Sequence, residues 1–410
     1  MSDPLAPSTP AATVTPPAPR RVERLDTIGY FAAFVALGMA SAVLGPSLQA
    51  LAEHTRSRMA EISILFVARS SGYLGGSLLG GRLFDRIAGH PVMGAALVVM
   101  AGTLGLAPSL ADRWLLFAVI LLLGLAEGAV DVGGNTLLVW IHRDRVGPLM
   151  NGLHFFFGLG AFLSPLIVGR SLLWAGDITP AFWVLALLQV PAAVWLLRLP
   201  SPASGAAAPG RAGGRTNGRL VALIALFFFL YAGAEVAFGG WIFSYAVALG
   251  LSGDAVAAYL TSTFWGGLTL GRLLSIPLAL RFSLRSLLLA DCIGCLASLA
   301  LMILAPHSLL AAFLGTCGAG LCMASIFPSA LALTQTRVRI TGQVTGWFFV
   351  GASAGGMTLP WLIGQFFESV GPRVTTAILF ADMAAAVGVL GVLTSRVARP
   401  FYRWIAGDPE

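Results

Sequence analysis

The sequence predicts an all-α membrane protein of twelve transmembrane helices in two six-helix halves, and three observations lead there. Its 410 residues are 57% apolar and only 10% charged, with a mean hydropathy of +0.85, which is too apolar for soluble domains. Apolar segments matching a crossing of about 20 residues recur with centres near residues 39, 71, 100, 126, 159, 188, 231, 266, 294, 321, 353 and 384. Between the sixth and seventh lies Ser201 to Gly218, a Pro, Gly, Ala and Arg rich run without apolar periodicity, which reads as a linker.

Residues 1–26 are rich in Pro, Ala and Thr and close on Arg20, Arg21, Glu23 and Arg24. They read as a disordered cytoplasmic tail rather than a signal peptide, which would begin basic and reach a small-residue cleavage site. Residues 27–200 then form the first half, 201–218 the linker, 219–396 the second half and 397–410 a second cytoplasmic tail. An even number of crossings puts both ends on one side. With the ends in the cytoplasm, 19 of the 25 arginines fall inside, Arg56, Arg58, Arg113, Arg170 and Arg373 fall outside, and Arg69 sits within a helix. That asymmetry fixes the orientation in an inner or plasma membrane.

The second segment carries glycines at 72, 76 and 80, and the eleventh carries them at 351 and 355. Small residues at four-residue spacing let helices approach and slide closely. On the fourth segment Glu127, Asp131 and Asn135 recur every four residues, so a helix gathers them in one polar stripe. His154 follows on the fifth segment, beyond the loop His142, Arg143, Asp144 and Arg145. Charges at membrane depth cost about 2.5 to 3.5 kcal/mol each and so face a partner, a cavity or an ion path. This helix pair therefore reads as the polar side of a transport path. Pro165, Pro328 and Pro360 are expected to kink their helices. Cys292, Cys295, Cys317 and Cys322 lie in apolar segments and read as small packing residues, not as metal ligands or disulfides.

Every basic residue is arginine. The missing lysine removes the phosphate-binding residue of a P-loop and any Schiff base, which argues against ATP-driven pumping. A net charge of +7 reflects cytoplasmic loops rather than nucleic-acid binding. The halves also repeat at a fixed offset: Gly38 matches Gly233, and Pro165 with Gly169 matches Pro360 with Gly364, all 195 residues apart. Gly81-Arg82-Leu83 matches Gly271-Arg272-Leu273 at 190. Such a repeat puts a solute site between the halves near the bilayer midplane.

At Gly76 to Gly89 the run GSLLGGRLFDRIAG resembles the signature loop between the second and third helices of the major facilitator superfamily. The resemblance implies a cytoplasmic gate at Gly81, Asp85 and Arg86, although His90 and Pro91 stand where the family often has a basic pair. Gly271 and Arg272 resemble the second-half copy, with Ser275 in place of the acid. Asp131-Val-Gly-Gly-Asn135, Leu153 to Pro165, Tyr231-Ala-Gly-Ala-Glu235 to Tyr245, and Tyr259 to Arg272 are similar to the sodium-dependent glucose transporter 1 branch, and more distantly to fucose-proton symporters. That likeness implies a sugar as solute, a proton or sodium ion as coupling cation, and a cavity-facing Glu235.

Asp131 is the first candidate for cation coupling, because burial favours a carboxyl that exchanges its charge. The alternative is a static ion pair, for which Arg69 is the partner expected. Glu127, one turn away, is able to share the proton or to serve as a structural acid, and Glu235 divides between coupling and packing. Asn135, Asn151, His154 and Gln343 supply the donors and acceptors that polyol recognition needs, or else satisfied interhelical bonds. Trp241, Trp265, Trp347 and Phe155 supply flat faces for a sugar ring, or core and lipid contacts. The leading reading is a secondary transporter of a small polar solute, without enzymatic activity or cofactor, complete as a monomer. Its rivals are a proton-coupled efflux antiporter for amphipathic compounds, a non-transporting sensor, and an intramembrane hydrolase on Glu127, Asp131 and His154.

Overall fold

The computed structural model describes residues 21–202, 218–335 and 342–394, and among them the regular elements are all helices. They are α1 (Arg21–His54), α2 (Met59–Ile62), α3 (Ile64–Phe84), α4 (Gly89–Leu106), α5 (Arg113–His142), α6 (Val146–Ala175) and α7 (Thr179–Arg198), followed by α8 (Gly218–Ala248), α9 (Asp254–Arg281), α10 (Leu284–Leu304), α11 (Leu309–Met323), α12 (Ile326–Gln335), α13 (Gly342–Phe367) and α14 (Val374–Thr394). The breaks between α2 and α3 and between α11 and α12 each interrupt one rod, leaving the twelve expected from the apolar segments. Pro328 explains the second break, because its ring clashes with the carbonyl four residues back, at Ala324, where the helix turns. The Met323 carbonyl, beside the break, accepts from the Tyr231 hydroxyl at 3.0 Å.

Residues 21–26, expected to belong to the tail, are the first turns of α1. Asp26 is buried there, and Trp195 Nε1 on α7 donates to the Leu25 carbonyl at 3.1 Å, so packing on α7 carries the helix past the point where its apolar periodicity stops.

Nine stretches of the described residues are long and apolar enough to cross a membrane by themselves, one of them, Arg113–Ala175, holding both α5 and α6. The exceptions are α9 and α13. Thr261, Ser262 and Thr269 of α9 are buried, so polarity there faces protein rather than lipid. We call the end of the bundle holding the starts of α1 and α8 the base, and the opposite end the crown.

Close glycine contacts fix the register of each half. A Cβ on Gly72 or Gly76 would lie 2.0 or 1.9 Å from the carbonyl oxygens of Leu121 and Leu125, so α3 and α5 meet backbone to backbone. In the second half Gly267 and Gly271 meet the carbonyls of Cys317 and Leu321 in the same way, at 2.9 and 2.4 Å. The glycines correspond at an offset of 195 and their partners at 196. Gly271 therefore stands where Gly76 stands, and Arg272 where Ser77 stands. The expected match of Gly81-Arg82 with Gly271-Arg272 is five residues out, because the shared triplet does not mark the packing face.

Contacts between the halves gather at the crown. Met59 N donates to Glu368 Oε1 at 2.8 Å, Gln365 Nε2 donates to the Ala60 carbonyl at 2.8 Å, and Gly45 lies against the Gly239 carbonyl. Among the described residues, the hydrogen bonds, ring contacts and glycine approaches joining the halves lie crownward of Phe157 and Thr269. The crown is closed.

Candidate functional site

Two parallel helices, α3 and α5, carry a ladder of polar rungs along their glycine seam. Arg69 Nε donates to Glu127 Oε2 at 2.8 Å, and one turn baseward the Tyr73 hydroxyl donates to Asp131 Oδ2. Both rungs join residues 58 apart in sequence. The close approach set by Gly72, Gly76, Gly124 and Gly128 is what lets side chains on adjacent helices meet squarely. Glu127 is 0% exposed and its Oε1 has no partner, while Arg69 is 15% exposed. Asn135 Nδ2 completes the ladder, donating to the Asp131 carbonyl at 2.9 Å and to Asp131 Oδ1 at 3.1 Å.

The alternative reading of Asp131, a static ion pair with Arg69, is not the pairing the structure shows. Arg69 pairs with Glu127, and Asp131 is held by neutral donors, because the four-residue stagger on both helices aligns 69 with 127 and 73 with 131. Tyr73 was not among the expected site residues; its place one turn after Arg69 on the glycine-bearing helix was the available signal. An acid held by neutral donors and not tied to a fixed cation is free to take up and release one.

Across the bundle, the Tyr231 hydroxyl donates to Glu235 one turn along α8. Arg272 lies nine residues inside the end of α9 at Arg281, not at the loop where a gate residue belongs. The sequence match at 190 had placed it with the cytoplasmic arginines; the register at 195 moves it into the bundle. Its charge bears on Asp131, His154 and Tyr231, and its Nη1 is buried without a partner among the described residues. His154 packs its ring edge on Phe34 at 6.0 Å between centroids. Trp265 stands edge-on to Phe157 at 6.3 Å, and its Nε1 is also buried and unpartnered.

The other expected contacts separate from this group. Trp241 is 0% exposed, packs on Phe66 and Phe367, and donates Nε1 to the Pro360 carbonyl at 2.9 Å. It is a core residue, since its one donor is already used at a helix carbonyl near a proline. Trp347 is 55% exposed on α13, and Asn151 is exposed near the start of α6. The Gln343 side chain lies outside the described residues. Phe155 stacks edge-on with Phe156 at 5.7 Å. At the base, Asp85 and Arg86 follow the end of α3, both exposed and without an ion pair among the described residues, and Gly81 has open space around it.

A polar group at mid-depth between two repeated halves, closed on one face, is the geometry of a carrier. The profile of the Major Facilitator Superfamily matches residues 30–360. The chain belongs to the Major Facilitator Superfamily.

The chain is similar to sodium-dependent glucose transporter 1 of Xenopus laevis, 34% identical over 386 residues, covering 84% of this chain and 79% of that one. Against sodium-dependent glucose transporter 1A of Mus musculus the identity is 31%, covering 86% and 95%. Major facilitator superfamily domain-containing protein 4A of Pongo abelii is 29% identical, covering 89% and 91%. The crystal structure of a mutant of the nucleoside transporter NupG superposes with a TM-score of 0.75 at 15% identity, covering 92% of this chain and 100% of that one; at that identity it speaks for the fold. As a member of this superfamily the protein is a multi-pass membrane transporter and not an enzyme, which removes the hydrolase reading of Glu127, Asp131 and His154.

Proposed function

We propose that the protein is a secondary active transporter that moves a sugar by alternating access, coupled to a cation that binds at Asp131. The observation that carries this reading is the Asp131 carboxylate at mid-depth, bonded to Tyr73 and Asn135 and in no ion pair within 4 Å among the described residues. In the superfamily's two-half architecture such an acid exchanges a proton or binds sodium as the site opens to each side in turn. Glu127, neutralised by Arg69, is the structural acid of the pair. Glu235 serves the second half's side of the cavity, and Asn135 and His154 contribute donors and acceptors to solute hydroxyls.

The names of the relatives support a sugar and a sodium ion as the first solute and ion to test. The excess of arginines at the base, which persists after Arg272 moves into the bundle, supports a plasma or inner membrane location with both termini cytoplasmic. The crown then faces outward, and the closed crown makes this an inward-facing arrangement, with Asp85 and Arg86 exposed and in no ion pair among the described residues at the inner gate.

The test is uptake of labelled glucose and fucose into proteoliposomes under an inward sodium gradient, an inward proton gradient, or neither. Accumulation driven by one gradient is expected. Equal uptake in all three refutes coupling, and exclusion of the sugar against its gradient refutes inward transport.

A further inference from the structure

One face of α9 holds three buried donors, Thr261 Oγ1, Trp265 Nε1 and Arg272 Nη1, that find no partner among the described residues. Trp265, Thr269 and Arg272 fall on that face at intervals of four and three residues. Both Trp265 Nε1 and Arg272 Nη1 are buried and unbonded, whereas the Thr269 hydroxyl is spent on the Trp265 carbonyl at 2.7 Å. Buried polar groups in folded proteins almost always have a partner, so a row of them on one face calls for an explanation. The packing supplies the place. A Cβ on Gly158 of α6 would lie 2.1 Å from Thr269 Oγ1, so α6 and α9 touch at that level. The two helices run antiparallel across the boundary between the halves. His154 and Arg272 therefore both lie one turn baseward of the contact, on opposite walls, while Trp265, one turn crownward on α9, reaches edge-on to Phe157 beside it. Helical side chains lean toward their own N-terminus, which tilts Arg272 up toward Trp265.

We propose that Arg272, with Trp265, is a solute-binding residue that donates to hydroxyl or ring oxygens of a neutral polyhydroxylated ring, held opposite His154, Asp131 and Asn135. This rests on the sugar reading above and assigns the second half's recognition group. A neutral solute fits better than an anionic one, because the Asp131 carboxylate already lies in the field of the single Arg272 charge and would repel a second anion. An acceptor oxygen satisfies the orphaned donors without adding charge. Lysine at this position would keep the charge and lose the planar fork.

The experiment is equilibrium binding of labelled glucose to the full-length protein in nanodiscs, comparing wild type with Arg272→Gln, Arg272→Lys and Trp265→Phe. Each protein is also titrated with the series of monodeoxyglucoses. Loss of a hydrogen bond to a charged donor corresponds to about a tenfold or greater loss in affinity, and Arg272→Gln is expected to show it. Arg272→Lys should recover only part of it, and Trp265→Phe, which keeps the ring face, should lose a smaller factor. One deoxy sugar that binds poorly to wild type should bind Arg272→Gln no worse than glucose does, and that non-additivity marks the oxygen Arg272 holds. The proposal is overturned if glucose binds Arg272→Gln and Trp265→Phe as it binds wild type, or if every deoxy sugar loses the same factor in all proteins. Wild type that binds no sugar overturns the sugar reading together with this inference, whereas sugar transport indifferent to Arg272 overturns the inference alone.

Discussion

Removing one side of the Arg69 and Glu127 pair tests the ladder most directly. Glu127 is fully buried, its Oε2 accepts from Arg69 Nε at 2.8 Å, and its other oxygen has no partner. Glu127→Ala leaves the Arg69 guanidinium, itself 15% exposed, without its counter-charge. Breaking a buried pair in this way costs about 3 to 5 kcal/mol, whereas replacing both members with apolar residues of similar size is often neutral. The expected order is therefore a large loss for Glu127→Met alone as for Glu127→Ala, a comparable loss for Arg69→Met alone, and recovery of most of it when Arg69→Met and Glu127→Met are combined. Only the pairwise term of such a cycle isolates the interaction. The assay is the apparent unfolding midpoint in detergent at one fixed scan rate, since membrane proteins of this size seldom unfold reversibly. Losses that simply add in the double variant would refute the pairing. Gradient-driven accumulation by the Met-Met variant then separates the roles: its retention leaves Glu127 structural, and its loss with counterflow exchange intact returns Glu127 to the coupling mechanism.

Four further outcomes are expected. Asp131→Asn should abolish gradient-driven accumulation while counterflow continues, and full accumulation in that variant removes Asp131 from coupling. Trp241→Phe should lower stability by about 1 kcal/mol, the worth of its bond to the Pro360 carbonyl, with the KM for solute unchanged; a raised KM would put Trp241 back at the site. Gly76→Val should prevent correct folding, because a Cβ 1.9 Å from the Leu125 carbonyl forces α3 and α5 apart; wild-type yield and transport would contradict the register. At the crown, partial burial pushes the Asp177 carboxyl up, but bonds from Thr179 and the Ile178 backbone, with His54 nearby, hold it below its usual 3.8. Its contribution is present at neutral pH and lost as pH falls below that value, so Asp177→Asn should flatten the acid limb of the stability profile.

The position of each rod was legible in the sequence because lipid imposes a length and an apolarity on every crossing. The break after Met323 was legible too, since Pro328 forbids the bond that would close it. The polar stripe Glu127, Asp131 and Asn135 followed from helical spacing alone. Periodicity within one helix says nothing about which helix lies opposite, so it offered Arg69 as the alternative partner of Asp131 and passed over Tyr73. Glycine contacts between backbones decided that question, and they decided the register of the two halves as well, carrying Arg272 from the gate to the interior. Trp241 and Trp265 look alike in sequence, each an aromatic in an apolar helix. Packing separates them, because one indole N–H meets the Pro360 carbonyl and the other meets nothing. The sequence by itself determined a membrane bundle in two repeated halves, since hydropathy and spacing are properties of a chain and its solvent. Tertiary structure alone decided which buried charges are spent on one another and which donors stay open, because that depends on how closely two backbones approach.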